Sequence, residues 1–149
     1  MNQSTAEKLD NEIMTFKVSD QILGIPVQQV QEILPLQTVT RVPLAPPFLH
    51  GLLNLRGQIV TVIDLRRRLQ IEPKKDLKGS MNIIVNQGVE LFSLLVDGVG
   101  DVISVEKSNF SPPPATLDDC WKNCCKGVFR LKENLLILAM TLTGLLFSA

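Results

Sequence analysis

Few side chains in this 149-residue chain can do covalent or metal chemistry, and their spacing narrows what they can do. There is one histidine, His50, and no tyrosine. A two-histidine metal site cannot form within one chain, so acid-base chemistry would have to pair His50 with a carboxylate such as Asp64 or Asp97. The cysteines are Cys120, Cys124 and Cys125, an odd number crowded into one short segment. That is not the framework of a disulfide-stapled secreted domain, and the fourth ligand of a structural zinc site is missing. We read three ordinary thiols in a reducing compartment, no metal site and no cofactor. Arg66, Arg67 and Arg68 follow Asp64 and read as the solvated face of a short helical turn capped by that aspartate.

Composition removes whole classes of function. Lys and Arg total 15 and so do Asp and Glu, giving a formal charge of zero. A protein that binds nucleic acid by neutralising phosphates would carry a basic excess. Six Phe and one Trp supply little stacking for an oligonucleotide-binding barrel. The apolar share of 45% with 20% charged residues suits a folded domain rather than a disordered chain. Met1 to Asp10 is polar and of mixed charge, and reads as a loose tail rather than a signal peptide. Leu135 to Ala149 carries no charge, yet is shorter than the roughly 20 residues a membrane span needs, and reads as a buried strand running into a terminal helix.

The elements that must position these residues are short. Runs of Val, Ile and Leu broken by turn residues predict about ten strands and very little helix. Strands are expected over Ile13 to Val18, Gln21 to Ile25, Gly51 to Leu55, Gln58 to Ile63, Met81 to Val85, Val89 to Val96, Asp101 to Val105, Gly127 to Leu131 and Leu135 to Met140. Arg56-Gly57 is the turn of a hairpin. Val27, Val30, Ile33 and Leu34, between Pro26 and Pro35, have helical spacing.

The chain also repeats itself. A shift of 69 places Leu23 on Phe92, Ile25 on Leu94, Val30 on Val99, Glu32 on Asp101, Ile33 on Val102 and Leu34 on Ile103. A shift of 76 then places Gly51 on Gly127, Leu53 on Phe129, Leu55 on Leu131 and Ile59 on Leu135. Turn glycines and charges match along with the aliphatics, which indicates duplication of a five-stranded unit. Each unit is too small to be comfortable alone, so the two share apolar surface, and closing each set of five strands into a small barrel would remove most exposed edges.

The same segments carry a resemblance. Val30-Gln31-Glu32-Ile33, Thr40-Arg41-Val42-Pro43, the run from Pro47 through Gly51, Leu53-Asn54-Leu55-Arg56-Gly57 leading into Val62-Ile63-Asp64-Leu65, and Leu95-Val96-Asp97-Gly98-Val99 occur in one order. Together they resemble the bacterial chemotaxis coupling (adaptor) family CheW, from about Asn11 to Phe147. The resemblance implies a mainly β fold of two intertwined five-stranded SH3-like barrels with a few short helices, residues 11–149 forming one domain of two pseudo-repeated barrels. It also implies a non-catalytic cytoplasmic scaffold that links the tips of transmembrane chemoreceptors to the regulatory domain of a CheA-type histidine kinase, without membrane insertion or nucleic acid. The related kinases and CheV-type proteins, with their added ATP-binding or receiver domains, fit less well. Ser93, where relatives often have Gly, Thr61, where Pro is common, and the cysteine cluster depart from the family pattern.

The implied receptor-binding groove runs between the barrels, lined by Val30, Glu32, Ile33, Arg56, Met81, Val99 and Val102. A helix docking there would gain affinity from apolar burial. Val30 and Val99 are the better candidates for contact, while Ile33 and Val102 are equally readable as core between the barrels. Arg56 is also readable as a residue fixing its turn, and Met81 as filler. Gly51, Asn54, Gly57 and Asp64 are assigned to turn geometry. His50, expected exposed in a proline loop, is read as inert. The competing readings are a small-barrel module binding peptide or nucleic acid, and a hydrolase using His50.

Overall fold

A computed structural model describes residues 12–132 and 135–147; the expected loose tail over 1–10 lies outside the described residues. The strands are β1 Glu12–Val18, β2 Gln21–Pro26, β3 Val30–Pro35, β4 Leu49–Leu55, β5 Gln58–Asp64, β6 Met81–Gln87, β7 Glu90–Val96, β8 Gly98–Ser104, β9 Phe110–Ser111, β10 Cys125–Arg130 and β11 Leu136–Met140. The helices are single turns or little more: α1 Leu65–Arg68, α2 Asp119–Lys122 and α3 Leu142–Phe147. Among the described residues no helix is long and apolar enough to cross a membrane.

The duplication is visible in the elements. Adding 69 to the bounds of β1, β2 and β3 lands on β6, β7 and β8, within a residue or so; adding 76 carries β4, β5 and α1 onto β10, β11 and α3. The sheets do not follow the repeats, however. One has the order β8-β1-β2-β11-β10-β9 and the other β3-β6-β7-β5-β4. Each sheet therefore joins the first two strands of one repeat to the last three of the other. This is the intertwining that the family resemblance implies, in place of the simpler closure of each five-strand repeat on itself, and it ties the two halves together. The exchange follows from short connections: β2 reaches β3 through the single 3-10 turn Val27–Gln29, too little chain to fold β3 back beside β1. One sheet has six strands because Phe110 and Ser111 pair with β10; the counterpart in the other repeat is the isolated bridge between Thr40 and Leu52.

Both sheets curl. Leu34 of β3 packs with Leu53 and Leu55 of β4, although β3 and β4 are the outer strands of the five-stranded sheet. In the other sheet Ile103 of β8 packs with Phe129 of β10. Each curled sheet thus encloses a small apolar interior, as SH3-like barrels do. Between them lies the largest core, drawn from both repeats: Phe16, Leu23 and Ile25 from β1 and β2, Ile83, Val85 and Leu94 from β6 and β7, with Leu65, Leu69, Met140 and Leu145 closing it. Cys124 and Cys125 are buried in this layer, and burial pushes both thiols above their ordinary pKa, so they behave as small apolar residues.

The three arginines of α1 do not form a solvated face. Successive side chains on a helix leave it about 100° apart, and here the three go to different places. Arg66 donates to both oxygens of Asp97 at 2.9 and 2.7 Å and to the Glu72 carbonyl at 2.7 Å. Arg68 is buried, donates to the carbonyls of Leu145 and Gly144 at 3.0 and 2.9 Å, and lies 5.3 Å above the Phe48 ring. Only Arg67 is largely exposed. Asp97 also accepts the Ser19 amide at 2.6 Å, so one carboxylate ties α1, the β7–β8 corner and the β1–β2 turn together. Burial opposes ionisation of Asp97 and is the largest single effect, but the Arg66 hydrogen bonds, the Ser19 amide and nearby cations together hold its carboxyl below the ordinary value.

The Ser93 departure has a structural reason. Its hydroxyl accepts from the buried Asn82 amide at 2.8 Å, and Asn82 Oδ1 accepts the Gln37 amide at 3.0 Å. A glycine would leave that buried amide without this partner.

Two stability predictions follow from these ties. Arg68→Leu strands two α3 carbonyls in the central layer and is expected to cost about 2–4 kcal/mol, read as a lower urea midpoint at unchanged slope. For Asp97 the folded pKa lies below the unfolded one. Its contribution is therefore complete above the unfolded carboxylate value of about 4 and is lost as pH falls through the lower folded value. Asp97→Asn should destabilise the protein by about 1–2 kcal/mol at neutral pH, with the deficit shrinking in acid; urea melts of both proteins across that range measure it.

Candidate functional site

The stretch with helical spacing, Val27 to Leu34, is a 3-10 turn followed by strand β3, and a β-bulge explains the misleading period. Val30 pairs with Val85 and Ile33 with Ile83, so three residues on β3 span two on β6. The extra residue puts Val30 and Ile33 on one face, where a regular strand would put them on opposite faces. That face is the one Ile83 and Val85 turn toward the central layer. The other repeat does the same: Val99 pairs with Phe16 and Val102 with Met14, across a register shift between Met14 and Phe16. Thr15 fixes that bulge by donating its hydroxyl to the Asp101 carbonyl at 2.7 Å.

Duplicated bulges thus set four of the seven groove residues on the faces of β3 and β8 that look toward the junction of the barrels. Their accessibility differs from expectation. Val30 and Val99 pack against the central core, whereas Val102 belongs to no core cluster and is 44% exposed. Ile33 is half-buried on the same face. Met81 stands beside it on β6, opposite Pro35, and packs its side chain against the central layer. Val99 also lines an apolar recess of about 210 Å³ with Phe16, Ile22, Gly98 and the stem of Lys17.

Glu32 and Arg56 meet each other. They form an ion pair across the closure of the five-stranded barrel, from β3 to the β4–β5 turn. Arg56 is mostly exposed and adopts a positive φ of 50°, so it serves both the turn and the pair. In the same turn Asn54 Oδ1 accepts the Gly57 amide at 2.9 Å, and Gly57 has a φ of 87°, which glycine adopts without steric cost. Gly51 has a different role: a Cβ there would lie 2.7 Å from the Thr40 carbonyl oxygen, so β4 approaches the Thr40 bridge only without a side chain. Asp64 caps α1 by accepting the Arg66 amide at 3.0 Å.

His50 is not in the proline loop. It is half-buried on β4 and lines an open recess of about 270 Å³ with Arg41, Arg67, Pro46 and Pro47. Burial lowers its pKa, the Arg41 charge lowers it further, and Asp64 opposes this only in part. The carboxylates of the hydrolase alternative are committed elsewhere, Asp64 to its helix cap and Asp97 to Arg66. Sequence reasoning missed the convergence of Arg41 and Arg67 on His50 and the Arg66–Asp97 tie. Both join residues distant in the chain through strand pairing, and no local pattern announces either.

With this geometry in hand, comparison with known proteins places the chain. The family described as CheW-like domain matches residues 12–147. The chain is 31% identical over 138 residues to the chemotaxis protein CheW of Klebsiella aerogenes, covering 93% of this chain and 83% of that one. It is 36% identical over 113 residues to the chemotaxis protein CheW of Bacillus subtilis, covering 74% and 71%. The crystal structure of the scaffolding protein TtCheW from Thermoanaerobacter tengcongensis superposes with a TM-score of 0.82 at 28% identity, covering 94% of this chain and 96% of that one. Rolled, strand-exchanged sheets, the Asn-Leu-Arg-Gly turn and the match along nearly the whole described chain agree: this protein belongs to the CheW-like family.

Proposed function

We propose that this protein is a non-catalytic chemotaxis scaffold that couples chemoreceptors to a CheA-type histidine kinase, at receptor arrays on the cytoplasmic side of the membrane. The observation that carries the reading is the duplicated bulge, which turns equivalent aliphatic residues of both repeats toward one junction and leaves Val102 exposed there. An amphipathic helix such as a receptor tip buries its apolar stripe against such edges, with Ile33, Val102 and Met81 as anchors and Val30 and Val99 as the floor beneath them. Because Glu32 is already paired with Arg56, a partner's charge would have to compete for a formed ion pair, which favours the apolar residues as the source of affinity.

The kinase contact is of a different kind. A regulatory domain with the same fold docks barrel to barrel, pseudo-symmetrically, and repetition of such contacts closes rings. Nothing favours the hydrolase or the nucleic-acid reading: Asp64 is engaged in its helix cap and Asp97 by Arg66, and the chain has no charge excess.

Val102→Glu replaces an exposed apolar anchor by a charge without entering a core. It should leave the thermal midpoint unchanged, weaken binding of a receptor-tip fragment about tenfold or more, which corresponds to about 1.4 kcal/mol, and spare binding of the kinase regulatory domain. Calorimetric titration of wild-type and variant protein with each fragment tests this. Equal loss toward both partners with a lowered midpoint would reduce the effect to unfolding, and failure of the wild-type protein to bind either fragment would remove the scaffold reading.

A further inference from the structure

The recess around His50 shares no lining residue with the proposed groove. Its wall is preformed. The bridge between Thr40 and Leu52 pins one end of the loop with hydrogen bonds of 2.8 and 2.9 Å, and the Leu49 and Asp64 amides hold the other end by donating to the carbonyls of Pro46 and Phe48. Pro46 and Pro47 stiffen the rim. Two permanent cations, Arg41 and Arg67, face this space with the half-buried imidazole.

The local carboxylate does not balance them. Asp64 accepts the Arg66 amide and stands 3.7 Å from Arg67 Nε, while Arg41 has no ion-pair partner among the described residues. The recess therefore holds an excess of positive charge in a chain whose total charge is zero. Beside it on the same loop, Val42 and Leu44 expose apolar surface, Leu44 completely and at a positive φ of 61°. A cationic hollow next to an exposed apolar loop complements a peptide in which an acidic residue neighbours an apolar one.

We infer that the Arg41–His50–Arg67 recess is an oxyanion-binding site that receives an Asp or Glu carboxylate from an acidic peptide segment of a partner protein. Arg41 and Arg67 donate to the carboxylate, and His50 lines the back of the hollow. The inference is independent of the helix-docking reading, since it shares no residue with that groove. Its linkage has a definite sign. An anion beside His50 favours the imidazolium, so its pKa rises on binding, and the peptide binds more tightly as pH falls through the histidine range.

His50 is the sole histidine, so its ring protons report the site in proton NMR without labelling. The full chain is titrated with pH alone, with a capped tetraglutamate peptide, with the tetraglutamine analogue and with inorganic phosphate. Tetraglutamate should raise the His50 midpoint by about half a pH unit and tetraglutamine should not. Arg41→Gln and Arg67→Gln, both at exposed positions, should each reduce the peptide's apparent affinity at least about threefold, whereas Lys126→Gln on the other sheet should leave it unchanged. Absence of a shift with tetraglutamate, or an equal effect of Lys126→Gln, overturns the site. A shift with phosphate but none with the peptide overturns the peptide as its ligand.

Discussion

The apolar layer between the two curled sheets is the constraint on which the rest of the molecule depends. Neither repeat is large enough to enclose a sufficient core, and the small interiors of the two barrels leave Phe16, Leu23, Ile83 and Leu94 to be covered from outside. Strand exchange meets that need by making each barrel from both repeats, so that separating the repeats would also require unpairing β3 from β6 and β8 from β1. Polar contacts confirm the same joint. Arg68 of α1 reaches the carbonyls at the end of α3, its counterpart in the other repeat, and Asp97 binds α1 to the opposite sheet's β1–β2 turn.

Much of this was open to reading from the sequence, because strands buried on one or both faces announce themselves as short aliphatic runs and because duplication leaves a constant offset. The repeat by itself does not say how the offset units assemble; the intertwining came only with the family resemblance. An internal repeat predicts two similar structures, but the same residues satisfy closed repeats and exchanged ones equally well, and only the short link between β2 and β3 distinguishes them. The bulges hid a second feature. Val30 and Ile33 are three apart because a strand with one extra residue returns to the same face after three, which a periodicity argument takes for a helix.

The charged residues were the least legible. A run of three arginines looks uniform in one dimension, yet its members go to a buried carbonyl pair, a carboxylate thirty-one positions away and an exposed position beside Asp64. Glu32 and Arg56 were each readable as partner contacts and turn out to hold the edges of one barrel together. His50, by contrast, moved from a loop to a strand because β4 begins two residues before Gly51, as soon as the proline run ends. In each case the sequence named the residue and the topology decided its partner.

Departures from the internal symmetry bear most directly on what the protein can do. A perfectly duplicated molecule would offer every partner two equal surfaces. Here the loop before β4 brings Arg41 toward His50 and Arg67, while the longer loop before β10 carries Asp118 and Asp119 and a recess lined by Leu117, Trp121 and Leu138. The first recess is cationic and its loop is pinned by backbone hydrogen bonds; the second is lined by Asp118 and the only tryptophan. The junction between the barrels keeps its symmetry, with Val30 matching Val99 and Ile33 matching Val102, because both bulges must face one shared core. Symmetry is thus retained where the fold requires it and lost in the two loops. Such a fold offers one symmetric junction and two unlike loop surfaces, an arrangement that suits a scaffold joining unlike molecules.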